Sequence, residues 1–134
     1  MPRILIVEDD EALAELLRMQ LEEDGHLADH AQTLALADGL IERHSYDAVL
    51  LDQQLPDGPG LGFLNIIKQS YPELPAIMIT GVNDTALPIE AIKAGAYDFV
   101  RKPMDRLELS TTLANALNAC RLARRAAAVE IAED

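Results

Sequence analysis

The chain has 134 residues, of which 49% are hydrophobic and 25% are charged, so its composition is that of one globular domain with a sizeable core. Its 23 acidic residues against 11 lysines and arginines give a net charge of -12, which argues against nucleic-acid binding by this domain. The single cysteine, Cys120, permits no internal disulfide, and no uninterrupted apolar run approaches membrane-spanning length. We therefore expect a cytoplasmic protein without membrane association, in which Cys120 is a packing residue on a helix.

The first part of the chain alternates between strand and helix patterns. Residues 4–7 form a short apolar run that predicts a strand, and acids follow it. Leucines at helical spacing then predict a helix that Asp10 could cap and Gly25 closes. Residues 26–31 predict an edge strand, and Thr33 is suited to cap a second helix.

The middle of the chain contains the most apolar segment. Residues 48–51 are wholly apolar, which is typical of a strand buried on both faces, and Asp52 ends this run. The sequence Pro-Asp-Gly-Pro-Gly then predicts a turn that leads into a third helix from about Leu61. Residues 76–79 predict a fourth strand that ends at Thr80.

The last part of the chain predicts a helix, a strand and a final helix. Pro88 is tolerated in the first turn of a helix, so the fourth helix is expected to start late, with Thr85 as its cap and Gly95 at its end. Residues 97–100 predict a fifth strand, which the Arg-Lys-Pro sequence breaks. The last helix is expected to begin at about Asp105.

Strands and helices alternate five times, which favours an α/β fold. We expect a five-stranded parallel sheet of order 2-1-3-4-5, doubly wound with five helices. In this order the first and third strands are neighbours. Glu8 and Asp9 follow the first strand and Asp52 follows the third, so the fold would gather three carboxylates at one edge of the sheet. Taken alone, Asp52 is better explained as a residue that starts a turn.

Three carboxylates close together raise one another's pKa unless a cation lies among them. Oxygen ligands without a nearby His or Cys suit Mg²⁺, which is the predicted cofactor. The fourth and fifth strands would bring Thr80 and Lys102 to the same edge, where a hydroxyl and an ammonium group could bind a phosphoryl group. Asp52 could then act as the nucleophile and form an aspartyl phosphate. Alternatively, Thr80 is only a strand residue and Lys102 only a solvated charge.

Four segments, IVEDD, LLDQQLPDGPG, MITG and AGAYDFVRKP, together resemble the receiver domain of two-component response regulators. The resemblance runs in order along residues 3 to about 120. It implies that Asp52 is the phosphoacceptor and that Asp9 is the direct Mg²⁺ ligand. It also implies that Glu8 acts mainly through water and that the backbone carbonyl of Gln54 completes the metal shell.

The same resemblance implies further roles around the phosphate. Thr80 would be the switch hydroxyl, Lys102 the phosphate-binding lysine, and Gly81 a small position that leaves access to the phosphate. Phe99 would be the aromatic switch residue, although an aromatic in an edge strand is equally well explained by packing. The phosphate would come from a phosphohistidine on a sensor kinase or phosphotransfer protein.

The implied activity is signalling by conformational change and not substrate turnover. The domain would catalyse only its own Mg²⁺-dependent phosphorylation and dephosphorylation, so it is not expected to be an enzyme in the usual sense. Its partners would include an output domain or a second copy of the chain, bound through the fourth helix, the fifth strand and the last helix.

Two other functions remain open at this stage. One is an aspartyl-phosphate phosphatase or phosphotransferase, which usually carries a second acid two residues beyond the nucleophile, where this chain has Gln54. The other is a receiver-like interaction module that takes no phosphate, against which the intact set of Asp9, Asp52, Thr80 and Lys102 argues. Flavin binding is disfavoured because the loop after the first strand is acidic and lacks a phosphate-cradling turn.

We assign residues 1–120 to the receiver domain and residues 121–134 to a C-terminal helix extension or linker that could lead to an output domain. The extension carries three arginines that favour a solvated helix end, or alternatively a connector: Arg121, Arg124 and Arg125. Three histidines are expected to face solvent without a role: His26, His30 and His44. Asp57 is expected to serve the turn in which it lies.

Overall fold

The structure, a computed structural model, describes residues 1–81 and 87–133, with side chains up to residue 129. Five strands form the main sheet: β1 (Arg3–Val7), β2 (Leu27–Ala31), β3 (Ala48–Asp52), β4 (Ala76–Thr80) and β5 (Asp98–Arg101). The helices are α1 (Glu11–Glu23), α2 (Leu34–Arg43), α3 (Gly60–Ser70), α4 (Leu87–Lys93) and α5 (Arg106–Glu133). A small hairpin between β3 and α3 pairs Gln54–Leu55 with Gly58–Pro59.

The five main strands are parallel and lie in the order β2-β1-β3-β4-β5, which confirms the predicted fold. Val7 of β1 pairs with Leu51 of β3, and Asp52 of β3 pairs with Ile79 of β4. The three strands therefore end at the same edge of the sheet. Residues just beyond these ends lie where parallel α/β sheets place their functional groups.

The sheet is covered on both faces, as the continuous apolar runs predict. Successive residues of a strand point to opposite faces, so Leu5 joins the core under α2, α3 and α4, whereas Ile4 joins the core under α1 and α5. Leu50 and Leu51 of β3 divide in the same way, and both are fully buried. The central strands are thereby fixed from both sides.

Local sequence signals set several helix ends. Asp10 accepts a hydrogen bond from the Leu13 backbone N–H and caps α1, and Gly25 follows the end of that helix with a φ of +88°. Thr33 caps α2 as predicted. Pro88 lies in the first turn of α4, where its missing N–H has no helical partner to lose. The cap predicted at Thr85 lies outside the described residues.

The fifth strand lies one residue later than predicted. The sequence placed it at residues 97–100, but β5 runs from Asp98 to Arg101, because Arg101 pairs with Thr80 at the end of β4. The ladder therefore continues through Arg101, and the chain turns at the cis peptide bond between Lys102 and Pro103. The Lys102 backbone N–H donates to the Thr80 carbonyl at 2.8 Å, which fixes Lys102 beside the end of β4.

Helix α5 runs without interruption past residue 120, the boundary assigned from the sequence. Arg121 and Arg125 are exposed, as a solvated helix end predicts, whereas Arg124 is held by contacts: its guanidinium lies 2.7 Å from Oδ1 of Asp47 and also donates to the Tyr46 carbonyl. Cys120 is buried on this helix, as expected.

Within residues 1–81 and 87–133, none of the helices is both long and apolar enough to cross a membrane. The division into a receiver domain and an extension stays a prediction.

Candidate functional site

Three acidic residues meet at the carboxyl edge of the sheet. Glu8 directly follows β1 and Asp52 ends β3, and both are buried, whereas Asp9 is exposed. One carboxylate oxygen from each residue lies within 4.8 Å of the other two. The neighbouring positions of β1 and β3 in the sheet produce this convergence, which the strand order predicted.

Lys102 completes the cluster from the loop after β5. Its Nζ lies 3.2 Å from Oδ2 of Asp52 and 3.5 Å from Oε2 of Glu8. The ammonium group is partly exposed, while both carboxylates that it contacts are almost fully buried. One cation thus faces two buried acids and leaves most of the negative charge of the cluster uncompensated.

Burial dominates the electrostatics of Glu8 and raises its pKa to about 7, with a further contribution from the adjacent Asp52. Burial by itself would lower the pKa of Lys102, but the carboxylates of Asp52 and Glu8 outweigh this effect, so its pKa is raised. The ammonium group therefore stays charged near neutral pH. A divalent cation among the acids would favour the ionised form of Glu8 and so oppose the effects of burial and of Asp52 on its pKa.

Replacing Glu8 with glutamine is expected to flatten the pH dependence of stability. The pKa of Glu8 is raised from 4.5 to about 7 on folding, so the native state binds this proton more tightly than the unfolded chain. Its contribution to the free energy of unfolding is greatest below the unfolded pKa and declines by about 3 kcal/mol as the pH rises through the native pKa. Urea unfolding at several pH values in this window measures the decline.

The exposed acid Glu42 provides the matched control, since Glu42→Gln changes the same chemical group on α2. Its pH profile should follow that of the unchanged protein. If Glu8→Gln shows the same decline as the unchanged protein, the buried carboxyl is not the group that titrates.

The end of β4 supplies a buried hydroxyl. Thr80 is fully buried, and its Oγ1 makes no hydrogen bond within the described part of the chain. A buried polar atom without a partner is costly, so this position suits an oxygen ligand or an anion. The next residue, Gly81, is exposed, and a Cβ built there would meet no described atom within 4 Å. Among residues 1–81 and 87–129, none therefore fills the space beside Gly81.

The loop after β3 is held close to Asp52. The Gly60 backbone N–H donates to the Gln53 carbonyl at 2.9 Å, and Oε1 of Gln53 accepts from the Leu61 backbone N–H at 2.9 Å. Gln54 lies in the small hairpin with an exposed side chain, and the role of its carbonyl as a metal ligand stays a prediction. Sequence reasoning missed Gln53, whose side chain caps the start of α3.

Phe99 is half-buried on β5 and packs against the core under α2, α3 and α4. The guanidinium of Arg101 lies over its ring, 5.6 Å from the centroid. Phe99 pairs with Met78, two residues before Thr80 on the adjacent strand. Phe99 therefore lies on the strand next to the one that carries Thr80.

Two neighbouring residues make contacts that the sequence did not predict, and the expectation that His26 and His30 face solvent was wrong. Nε2 of His30 lies 2.6 Å from the backbone carbonyl of Glu8, so this histidine supports the acidic loop and does not simply face solvent. His26 is also half-buried. Asp57 lies in its turn as expected, but its carboxylate also accepts two hydrogen bonds from the start of α2. These are contacts between distant segments, and residue type and local spacing carry no signal for them.

The donor set fits a hard metal ion. Glu8, Asp9 and Asp52 offer carboxylate oxygens, and neither sulfur nor imidazole nitrogen belongs to the cluster that the described residues form. The acidic cluster could therefore bind a metal ion.

Residues 4–114 match the family model for the response regulator receiver domain. The chain belongs to this family. As a receiver domain of the response regulators of two-component systems, it is a signalling module. It is 37% identical over 115 residues to the response regulator protein PilR of Pseudomonas aeruginosa, a match that covers 86% of this chain and 26% of PilR.

Other relatives of the receiver domain agree with this assignment. The virulence transcriptional regulatory protein PhoP of Salmonella typhimurium is 34% identical over 103 residues, which cover 77% of this chain and 46% of PhoP. The crystal structure of the receiver domain of NtrX from Brucella abortus has a TM-score of 0.82 and 33% identity, and the match covers 86% of this chain and 98% of that one. The chain thus spans less than half the length of these two curated regulators.

Proposed function

We propose that this domain accepts a phosphoryl group on Asp52 in the presence of Mg²⁺. The observation that carries the proposal is the position of Lys102, whose Nζ lies within 3.5 Å of both buried acids, at the edge where the Thr80 hydroxyl has no hydrogen-bond partner among the described residues. Asp9, Asp52 and the Gln54 carbonyl would hold the metal ion, with Glu8 acting mainly through water. When bound, Mg²⁺ neutralises charge on the phosphoryl oxygens.

The reaction is a transfer from a phosphohistidine on a sensor kinase or phosphotransfer protein. A carboxylate oxygen of Asp52 forms a bond to phosphorus while the bond between phosphorus and the imidazole nitrogen breaks. The electron pair of that bond stays on the imidazole, which takes up a proton from solvent. Lys102 places a positive charge beside the transferred group, and Thr80 donates a hydrogen bond to it. Gly81 leaves room for the donor and, later, for the water that hydrolyses the product.

Signalling follows from the new contacts of the phosphoryl group. Thr80 would move toward it, and the room that it vacates would admit Phe99 from β5, which biases a two-state element. The surface of α4, β5 and α5 would carry the change to an output domain or a second copy of the chain. Ile89, Ile92 and Tyr97 are exposed there. We place this exchange in the cytoplasm.

The proposal is tested by incubating the purified chain with Mg²⁺ and a small-molecule phosphodonor. Intact-protein mass spectrometry should show a single base-labile phosphate on each chain, and chelation of the metal should prevent its uptake. Free phosphate should accumulate only as slowly as the modified protein decays. Rapid release over many turnovers would instead indicate a phosphatase, and no uptake at all would indicate an interaction module without phosphate chemistry.

A further inference from the structure

Asp57 joins the loop after β3 to the start of α2. Its carboxylate oxygens accept hydrogen bonds from the backbone N–H groups of Leu34 at 2.9 Å and Ala35 at 3.0 Å. The first N–H groups of a helix have no partner within that helix. Oγ1 of Thr33 accepts from the next N–H, that of Leu36, at 3.1 Å. Two side chains from different parts of the chain therefore satisfy three successive donors.

Charge and packing both favour the contact between Asp57 and the start of α2. Hydrogen bonds from Leu34 and Ala35 lower the pKa of Asp57, so its carboxylate is ionised at the positive end of α2. Gly58 has a φ of +145°, and a Cβ built there would lie 3.4 Å from Cδ1 of Leu34. The turn of the hairpin thus lies close to Leu34, the first residue of the helix.

The same hairpin contains Gln54. It pairs with Pro59, while Leu55 pairs with Gly58, so the two short strands hold each other in register. The chain enters the hairpin from Asp52, which the buried strand β3 fixes in place. Asp57 fixes the other end of the hairpin against α2. The backbone of Gln54 is thereby held between two anchored points.

We propose that Asp57 is a positioning residue for the metal site, which it serves by holding the Gln54 carbonyl in place for Mg²⁺. The inference rests on the proposed function, in which that carbonyl is a metal ligand. Asp57 acts through the backbone of the hairpin and not by contact with the metal. Its loss should therefore weaken Mg²⁺ binding while leaving the chemistry at Asp52 intact.

Calorimetric titration of Mg²⁺ into the full chain, its Asp57→Ala variant and its Thr33→Ala variant tests this role. Both substitutions remove a partner from the start of α2, so both should lower the melting temperature. Only Asp57→Ala should raise the Kd for Mg²⁺, by about 10-fold, as loss of a residue that orients a ligand does. At saturating Mg²⁺ the phosphorylation rate of Asp57→Ala should return to that of the unchanged protein.

Equal Mg²⁺ affinities in the two alanine variants would overturn the positioning role. Asp57→Asn keeps one oxygen that can accept a hydrogen bond, so if Asp57→Ala does not fold, a Kd for Mg²⁺ above that of the unchanged protein in Asp57→Asn supports the proposal and an unchanged Kd overturns it. Failure of the unchanged chain to bind Mg²⁺ or take up phosphate is a separate result, because it would refute the proposed function itself.

Discussion

Phosphate uptake is expected to fall by at least about 100-fold when Asp52 is replaced by asparagine. The amide has nearly the same size as the carboxylate, so the buried end of β3 keeps its packing. It lacks the charged oxygen that must form the bond to phosphorus. Lys102 retains Glu8 as a partner, 3.5 Å away, so the cation is not left unpaired. Mass spectrometry after incubation with Mg²⁺ and a small phosphodonor measures the effect.

Asp38→Asn is the matched control, because Asp38 is an exposed aspartate of α2 and undergoes the same chemical change. Its phosphate uptake should equal that of the unchanged protein. If Asp52→Asn still takes up phosphate at the normal rate, another residue is the acceptor.

Gly60→Ala is expected to destabilise the fold by about 2–4 kcal/mol. A Cβ at this position would lie 2.2 Å from the backbone oxygen of Asp52 and 3.2 Å from Cα of Gln53. These are backbone atoms, which cannot rotate away as a flexible side chain can. Either the start of α3 or the end of β3 must shift, and a shift of β3 would move Asp52 out of the acidic cluster. Urea denaturation measures the loss.

Gly62→Ala tests whether the effect belongs to the position or to the residue type. Gly62 lies in the same helix, and a Cβ there would meet no described atom within 4 Å. This change should stabilise the chain by about 0.5–1 kcal/mol, as alanine does in place of glycine within a helix. Similar destabilisation in both variants would show that the contact with Asp52 is not responsible.

The acidic cluster could be predicted from the sequence because each of its members stands at the end of an apolar run. Strand order then determines which ends are neighbours, and the alternation of strands and helices permits few orders. Glu8, Asp52 and Lys102 come together for this reason, although 94 residues separate the first from the last. The same reasoning placed Thr80 at the edge of the sheet.

The residues that support the cluster could not be predicted in this way. Asp57 bonds to a helix start more than 20 residues earlier, and His30 reaches the Glu8 carbonyl from an edge strand. Arg124 reaches Asp47 across 77 residues. Each is a side-chain contact between segments that are distant in sequence, and its partner depends on loop geometry that strand order does not determine. The one-residue shift of β5 has a related cause, since pairing with Thr80 and not local propensity decides where the strand ends.

A crystal structure with Mg²⁺ and beryllium trifluoride, which mimics a phosphoryl group bound to a carboxylate, would test the convergence at this edge most directly. We predict beryllium on a carboxylate oxygen of Asp52, Mg²⁺ bound by Asp9 and Asp52, and contacts from Lys102 and Thr80 to the fluorine atoms. An anion bound elsewhere, or a Lys102 directed away from Asp52, would contradict the proposed phosphoacceptor site.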